Sequence, residues 1–286
     1  MYSHEFDYVR AQSVQEAIQL LEHNEGAKLL AGGHSLIPIM KLRQASPSML
    51  VDIGRIAEMK GISRRNGSLR IGALTTHAMV AASADLPAAL VDAAWVTADL
   101  QVRNRGTVGG NVAHADPASD LPTVFTTLGA TFHVIGPGGE RAIPAEDFFT
   151  AMFETAMAVN EVLVAVEVPA HGKSTGSAYV KMINPASGYA MVGAAAVVTV
   201  ESGRCTQASV AVGGLTPKAT KAPSVELALT GKSLDENTIA SAAKEIEKDL
   251  GGEILGDMHA GEEYRKAMAP VYVKRALFAA AQRASQ

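Results

Sequence analysis

Two short segments combine glycine pairs with hydroxyl and amide side chains: Ala31–Gly32–Gly33–His34–Ser35 and Thr107–Val108–Gly109–Gly110–Asn111. Glycine lets backbone N–H groups approach an anion closely and takes positive φ without a Cβ clash. Successive amides can form a concave anion site, and a following helix start adds its dipole. Two such loops suit the two phosphates of a dinucleotide, with Ser35, Thr107 and Asn111 adding side-chain hydrogen bonds. A single Gly-Gly pair more often marks a tight turn than a ligand site. A second pair of matching chemistry narrows that margin without reversing it.

Other signatures are missing or incomplete. Neither loop reads G-x-G-x-x-G, which excludes an ordinary nicotinamide-binding domain. Gly231–Lys232–Ser233 and Gly172–Lys173–Ser174 end like Walker A loops, but Glu226 and Glu167 stand where the first glycine belongs. His114, Asp116 and Asp120 are spaced to converge around Pro117. Acids near a helix start usually cap it and lone histidines usually have structural roles, which disfavours a metal. Asp120 reads better as an acceptor for a ligand hydroxyl. Gly33–His34–Ser35–Leu36–Ile37 lacks the second glycine of a nucleophile elbow, so a Ser-His-Asp hydrolase is disfavoured too. No residue is assigned a catalytic role and no metal site is expected.

Composition narrows the classes further. The chain has 286 residues, 48% hydrophobic and 19% charged, as an ordinary globular protein has. Length alone predicts one large domain or two moderate ones. A net charge of −4 gives no general attraction to nucleic acid. No stretch approaches the roughly 18 apolar residues of a membrane span, and the start MYSHEFDYVR is not a signal peptide. The expected location is the cytoplasm, including a peripheral place at the inner face of the membrane. Cys205 is the only cysteine. It cannot form an internal disulfide or supply the four thiolates of an iron–sulfur cluster. Any redox metals must belong to partners.

The elements that position the loops can also be read. Ser13 to Glu16 is a capping box, and Val14, Ala17, Ile18 and Leu21 recur at helical spacing before Gly26. An apolar run at 28–31, the first glycine loop, a helix over 36–43 and a second run at 50–53 make a βαβ unit. Its loop lies at the carboxyl end of the first strand, where such folds bind ligands. A strand follows at 69–72, then helices over 75–82 and 86–98, the latter carrying Trp95. Residues 101–120 read as a polar glycine segment. A hairpin forms over 131–135 and 141–144 around Pro137–Gly138–Gly139, and 162–168 is strand-like. A polar junction at 171–176 precedes three β-rich segments (178–182, 192–200, 208–212) and helices over 234–250 and 262–282. That is an α+β order.

AGGHSLIPIMKLR, from Ala31, and RGTVGGNVAHADPASD, from Arg105, together resemble one family. It is the medium subunit of aerobic carbon monoxide dehydrogenases and related molybdenum hydroxylases, including the flavin part of xanthine dehydrogenase. The resemblance runs from Phe6–Asp7–Tyr8 to the Glu263–Tyr264–Arg265 region. It implies an FAD-binding domain of the vanillyl-alcohol-oxidase (PCMH) type over 1–175, with lobes at about 1–55 and 56–175. A C-terminal domain over 176–286 would hold a three-stranded antiparallel sheet and a helical bundle. By motif match, Ala31, Gly32, Gly33, His34 and Ser35, with Thr107, Gly109, Gly110 and Asn111, would wrap the FAD diphosphate. Asp120 would hold an FAD hydroxyl and Ala98 a backbone contact. Val162 and Leu163 would approach the isoalloxazine by backbone, Lys181 would lie nearby, and Tyr189 would cover the ring. By itself Tyr189 reads equally as a half-buried aromatic.

The resemblance also implies a role as a subunit. A large partner would oxidise substrate at a molybdopterin centre, and a small partner would carry two 2Fe–2S clusters. This chain would pass electrons through FAD to an external acceptor (quinone, NAD or oxygen), within a dimer of heterotrimers. The basic Lys-Arg-Lys run of the carbon monoxide enzymes is Met182–Ile183–Asn184–Pro185 here. That weakens carbon monoxide as the substrate, and because substrate would bind a different polypeptide, carbon monoxide, an aldehyde, a purine and an N-heterocycle all stay open. The alternatives are a stand-alone flavin oxidase or dehydrogenase with its own substrate site, and a scaffold subunit without flavin.

Overall fold

The computed structural model describes residues 2–285. At its N-terminal end Asp7–Arg10 and Lys28–Leu30 flank Met49–Asp52, both parallel to it. The helix Val14–His23 links the first of these to the second in sequence, and Leu36–Lys41 the second to the third. The expected strand–loop–helix–strand unit is therefore present, with Asp7–Arg10 as an additional strand. That strand is four residues long and mostly exposed, so it carries no apolar alternation. Ser13 Oγ accepts from Glu16 N at 3.1 Å, while the Glu16 carboxylate accepts from Gln12 N at 2.7 Å. The return bond thus falls one residue earlier than the reciprocal pairing of a capping box.

A five-stranded antiparallel sheet follows, in the order Ile62–Arg65, Ser68–Gly72, Val162–Pro169, Thr131–Gly136 and Gly139–Pro144. The first of these is exposed along Ser-Arg-Arg and has no readable period. Residues 101–120, read from the sequence as a polar glycine segment, instead contain two short helices, Leu100–Arg105 and Val108–His114. Caps rather than propensity start them. Asp99 accepts from Val102 N at 2.8 Å and Thr107 Oγ1 from Gly110 N at 3.1 Å.

The C-terminal sheet runs Thr175–Ile183, Ala190–Glu201, Arg204–Gly213 and Thr220–Lys221. It has four strands rather than three, the last being too short to show a period. Alternate residues of Ala190–Glu201 face two cores, as strand geometry requires. Ala194, Ala196 and Val198 join the C-terminal core with the 23-residue helix Glu262–Ala284. Ala195 and Val197 join the N-terminal core, where Ala88–Val96 and the wholly buried Asp120–Leu128 pack. Small residues bring the layers together: a Cβ on Gly176 would lie 2.0 Å from the Ala280 carbonyl. Residues 234–250 form Glu236–Lys244 and a 3-10 turn, Glu245–Lys248, rather than one helix. Pro223–Leu229 is a further helix, with proline in its first turn.

Candidate functional site

A cleft of about 920 Å3 is bounded by both glycine loops, the end of Asp120–Leu128, Leu163 and residues 187–189. That is near the top of the roughly 300–1,000 Å3 range of small-molecule and cofactor sites.

The strand Lys28–Leu30 ends at this cleft, and the chain must turn at once into Leu36–Lys41. Gly33 makes the turn at φ +74°, where a Cβ is strained. Gly32 meets a different need: a Cβ there would lie 2.3 Å from the Arg105 carbonyl oxygen, so only glycine lets the two loop regions touch. Ile37 N donates to Gly33 O at 3.1 Å and Ile39 N to Ser35 O at 3.2 Å, which starts the helix. Ahead of them, among the described residues, the amides of Gly32, Gly33, His34 and Ser35 donate to no protein acceptor. All four residues line the cleft. Successive unpaired amides make an anion-binding concavity. His34 Nδ1 donates to Gly32 O at 2.9 Å; a carbonyl only accepts, so the proton is on Nδ1.

The second loop is built differently. Val108 N donates to Thr75 O at 2.9 Å, Gly109 N to Ala73 O at 2.7 Å and Asn111 N to Thr107 O at 3.0 Å. Gly110 N donates to Thr107 Oγ1. Gly109 is packed so closely that a Cβ would lie 2.5 Å from Ala73 Cβ. The open capacity here is in side chains. Asn111 Nδ2 donates to Ser119 Oγ at 3.2 Å, while its Oδ1 is buried without a partner. His77, whose amide donates to Gly106 O at 3.1 Å, is buried behind this loop with Nδ1 unpaired. Burial, reinforced by nearby Arg103 and His34, lowers its pKa from 6.5 to about 4, so the ring is neutral.

A buried ion pair joins the cleft to the C-terminal sheet. Lys181 Nζ lies 3.0 Å from Asp120 Oδ1 and donates to Gly188 O at 2.7 Å. Tyr179 Oη donates to Asp120 Oδ1 at 2.7 Å, and Thr97 Oγ1 lies 3.1 Å from Oδ2. Burial pushes the Asp120 carboxyl up, against the opposing pull of Lys181 and Tyr179. A carboxylate offers about four acceptor positions; Lys181 and Tyr179 fill two, and the single Thr97 hydroxyl proton is shared with the Ala93 carbonyl at 2.7 Å, so at least one position is left. Tyr189 is partly exposed at the mouth, its hydroxyl raised in pKa by burial and then by Asp116 and Asp120.

The open amides and the cleft volume fit a dinucleotide diphosphate, and Asn111 can add an N–H once its amide is turned over so that Oδ1 accepts from the Ser119 hydroxyl. Comparison with known proteins decides which one. The family described as the FAD binding domain in molybdopterin dehydrogenase matches residues 4–171, and the CO dehydrogenase flavoprotein C-terminal domain matches 177–280. The chain belongs to this family. It is 39% identical over 280 residues to the carbon monoxide dehydrogenase medium chain of Hydrogenophaga pseudoflava, covering 96% of each. It is 36% identical to the alpha subunit of the 6-hydroxypseudooxynicotine dehydrogenase complex of Paenarthrobacter nicotinovorans, covering 98% and 95%. The solved carbon monoxide dehydrogenase of Hydrogenophaga pseudoflava, in a form lacking the Mo-pyranopterin moiety of its cofactor, superimposes with a TM-score of 0.94 over 99% of both chains. The chain is thus an FAD-binding subunit of a molybdenum hydroxylase.

Within this FAD-binding family frame, the residues singled out from the sequence fall into two groups. Ala31 to Ser35, Ala98, Thr107, Gly109, Gly110, Asn111, Asp120, Leu163 and Tyr189 line the cleft. Val162 and Lys181 are behind its wall. Val162 is buried in the sheet beside a register shift between Leu163 and Ala165, and Lys181 is buried behind Asp120. His77, Thr97, Arg103, Tyr179 and Gly188 belong to the site too. Their sequence carries no motif, because each acts on a neighbour that is distant in the chain or hidden in a loop.

Proposed function

We propose that this chain holds FAD along the cleft and works as the electron-transfer subunit between an iron–sulfur partner and an external acceptor. Bound FAD supplies the redox chemistry, taking electrons from one side and releasing them to the other. The amides of Gly32, Gly33, His34 and Ser35 donate to its diphosphate, with Ala31 at the edge and Ser35 and Asn111 adding side-chain bonds. Thr107, Gly109 and Gly110 shape the facing wall. The remaining acceptor position of Asp120 takes a cofactor hydroxyl, while Lys181 holds Asp120 and the Gly188 carbonyl in place. The Ala98 backbone contacts the cofactor, the backbone at Leu163, with Val162 behind it, approaches the ring, and Tyr189 covers it. The arrangement is that of a two-lobed PCMH-type domain, lobes at about 1–55 and 56–175, followed by a C-terminal domain over 176–286.

The partners are those that the family implies, and the chain's own chemistry agrees with them. Cys205 is buried, with Sγ 3.3 Å from Gln207 O, and a single thiol cannot hold a cluster. The 2Fe–2S clusters sit in a small subunit and the molybdopterin in a large one, in a dimer of heterotrimers. Relatives named for carbon monoxide and for 6-hydroxypseudooxynicotine match this chain at 39% and 36% identity. That near-equality supports a substrate site on a different polypeptide. Among the described residues no helix is long and apolar enough to cross a membrane. The assembly would act in the cytoplasm or at the inner membrane face.

The observation that carries this reading is the run of four unpaired amides in the first loop. Its test is the visible spectrum of the purified chain after incubation with FAD and gel filtration. One flavin per folded chain is expected, with no turnover until the partners are added. A folded chain that retains no flavin sinks the reading, and turnover by the chain alone replaces it with a stand-alone oxidase.

A further inference from the structure

Ala98 is a non-glycine residue held at φ +43°, and it lines the cleft. The left-handed region crowds Cβ against the backbone, so alanine stays there only when its surroundings over-determine it. The restraint is visible in the structure. The helix Ala88–Val96 stops at Thr97, and the carbonyls at a helix end lack intrahelical partners. Arg103 Nη1 donates to Thr97 O at 3.1 Å and to Ala98 O at 3.0 Å. Arg103 belongs to the next helix, Leu100–Arg105, so its side chain folds back over the turn that precedes that helix. Its guanidinium carbon lies 5.8 Å from the Trp95 ring centroid, which fixes the head from the other side. On the inner side, Thr97 Oγ1 is 3.1 Å from Asp120 Oδ2, and Gly188 comes so near that a Cβ on it would lie 3.3 Å from Ala98 Cα.

We propose that Arg103 is a positioning residue that locks the Thr97–Ala98 turn in the left-handed form presenting the Ala98 backbone to the cofactor. The proposal rests on the reading of the cleft as the FAD site. A guanidinium near a diphosphate could instead act through its charge. The geometry points to the turn, because the two Nη1 hydrogens serve two successive carbonyls.

The two roles separate in a double-mutant cycle on the full chain, stripped of flavin and titrated with FAD by fluorescence quenching. Arg103→Gln should weaken FAD binding about tenfold when residue 98 is alanine. In an Ala98→Gly background the same change should cost about twofold, because glycine takes φ +43° without help. Equal losses in both backgrounds overturn the proposal, as charge does not depend on residue 98. No loss in the alanine background overturns it as well. Arg103→Met, which keeps the aliphatic stem against Trp95, runs through the same cycle with the same criteria if Arg103→Gln does not fold. A wild-type chain that binds no FAD in this titration overturns the reading of the cleft itself.

Discussion

In the first glycine loop four consecutive amides, Gly32 to Ser35, have no acceptor among the described residues, whereas in the second the amides of Val108, Gly109, Gly110 and Asn111 are all satisfied internally. The two loops carry nearly the same residue types, so composition does not explain the contrast. What differs is the neighbour that each glycine faces. Gly33 supplies a positive φ that frees the amides around it, while Gly32 and Gly109 supply closeness to protein backbone and side chain. One loop therefore presents donors to the cleft. The other forms a wall that holds the first loop at the right distance, and contributes side chains. A glycine pair in a sequence signals a steric requirement; only its surroundings say whether ligand or protein imposes it.

The largest expected effects come from breaking that contact between the loops. In Gly32→Ala the new Cβ falls 2.3 Å from the Arg105 carbonyl, and backbone must move on both sides. FAD retention should be lost, with overpacking destabilising the chain by about 1–3 kcal/mol. Gly109→Ala places a Cβ 2.5 Å from Ala73 and should destabilise to a similar extent. Its folded fraction, however, should still retain flavin, because the amides it disturbs are structural. Urea midpoints and flavin stoichiometry measured together decide the matter. A folded, flavin-free Gly109→Ala beside a flavin-retaining Gly32→Ala would invert the assignment of the two loops.

Behind the second loop, His77 sharpens the contrast through pH. Its pKa falls from 6.5 to about 4 on folding. Between those values the unfolded chain binds a proton that the folded chain refuses, so stability drops as pH falls from 6.5 towards 4. The contribution lost is about 3 kcal/mol, and above pH 6.5 the residue adds nothing to the slope. His77→Leu should flatten the pH dependence of the urea midpoint across this window. An unchanged slope would assign the acid sensitivity to other groups and remove His77 from the structural wall.

Much of this was legible in the sequence, and the physical reasons for the rest are specific. The βαβ unit could be read because 28–31, 36–43 and 50–53 carry apolar runs on either side of a glycine turn. The hairpin at 131–144 could be read from Pro137–Gly138–Gly139. Leu100–Arg105 and Val108–His114 could not, since they are short, polar and started by Asp99 and Thr107 caps within a stretch without period. Thr220–Lys221 is two residues long. In the site, the glycine loops were legible because these two Gly-Gly pairs sit beside hydroxyl and amide side chains in segments that together resemble one family. Thr97, Arg103 and Tyr179 were not, because each works through a carbonyl or carboxylate that only the fold brings near.

Asn111 is where the contrast between the loops is least complete, and it gives the smallest predicted effect. Its Oδ1 is buried and unpaired, while its Nδ2 donates to Ser119 Oγ at 3.2 Å. A serine hydroxyl can donate as readily as accept, so the amide keeps its Ser119 bond turned either way and can offer the cleft an acceptor or an N–H. Asn111→Leu, close in volume, removes an unsatisfied atom. Stability should stay within about 1 kcal/mol of wild type, while FAD affinity falls about three- to tenfold, the worth of one net hydrogen bond. Isothermal titration with FAD and a thermal melt give both numbers. If Asn111→Leu instead destabilises as Gly109→Ala does and leaves FAD affinity alone, the second loop is structural throughout. The diphosphate would then depend on the amides of residues 32–35 alone.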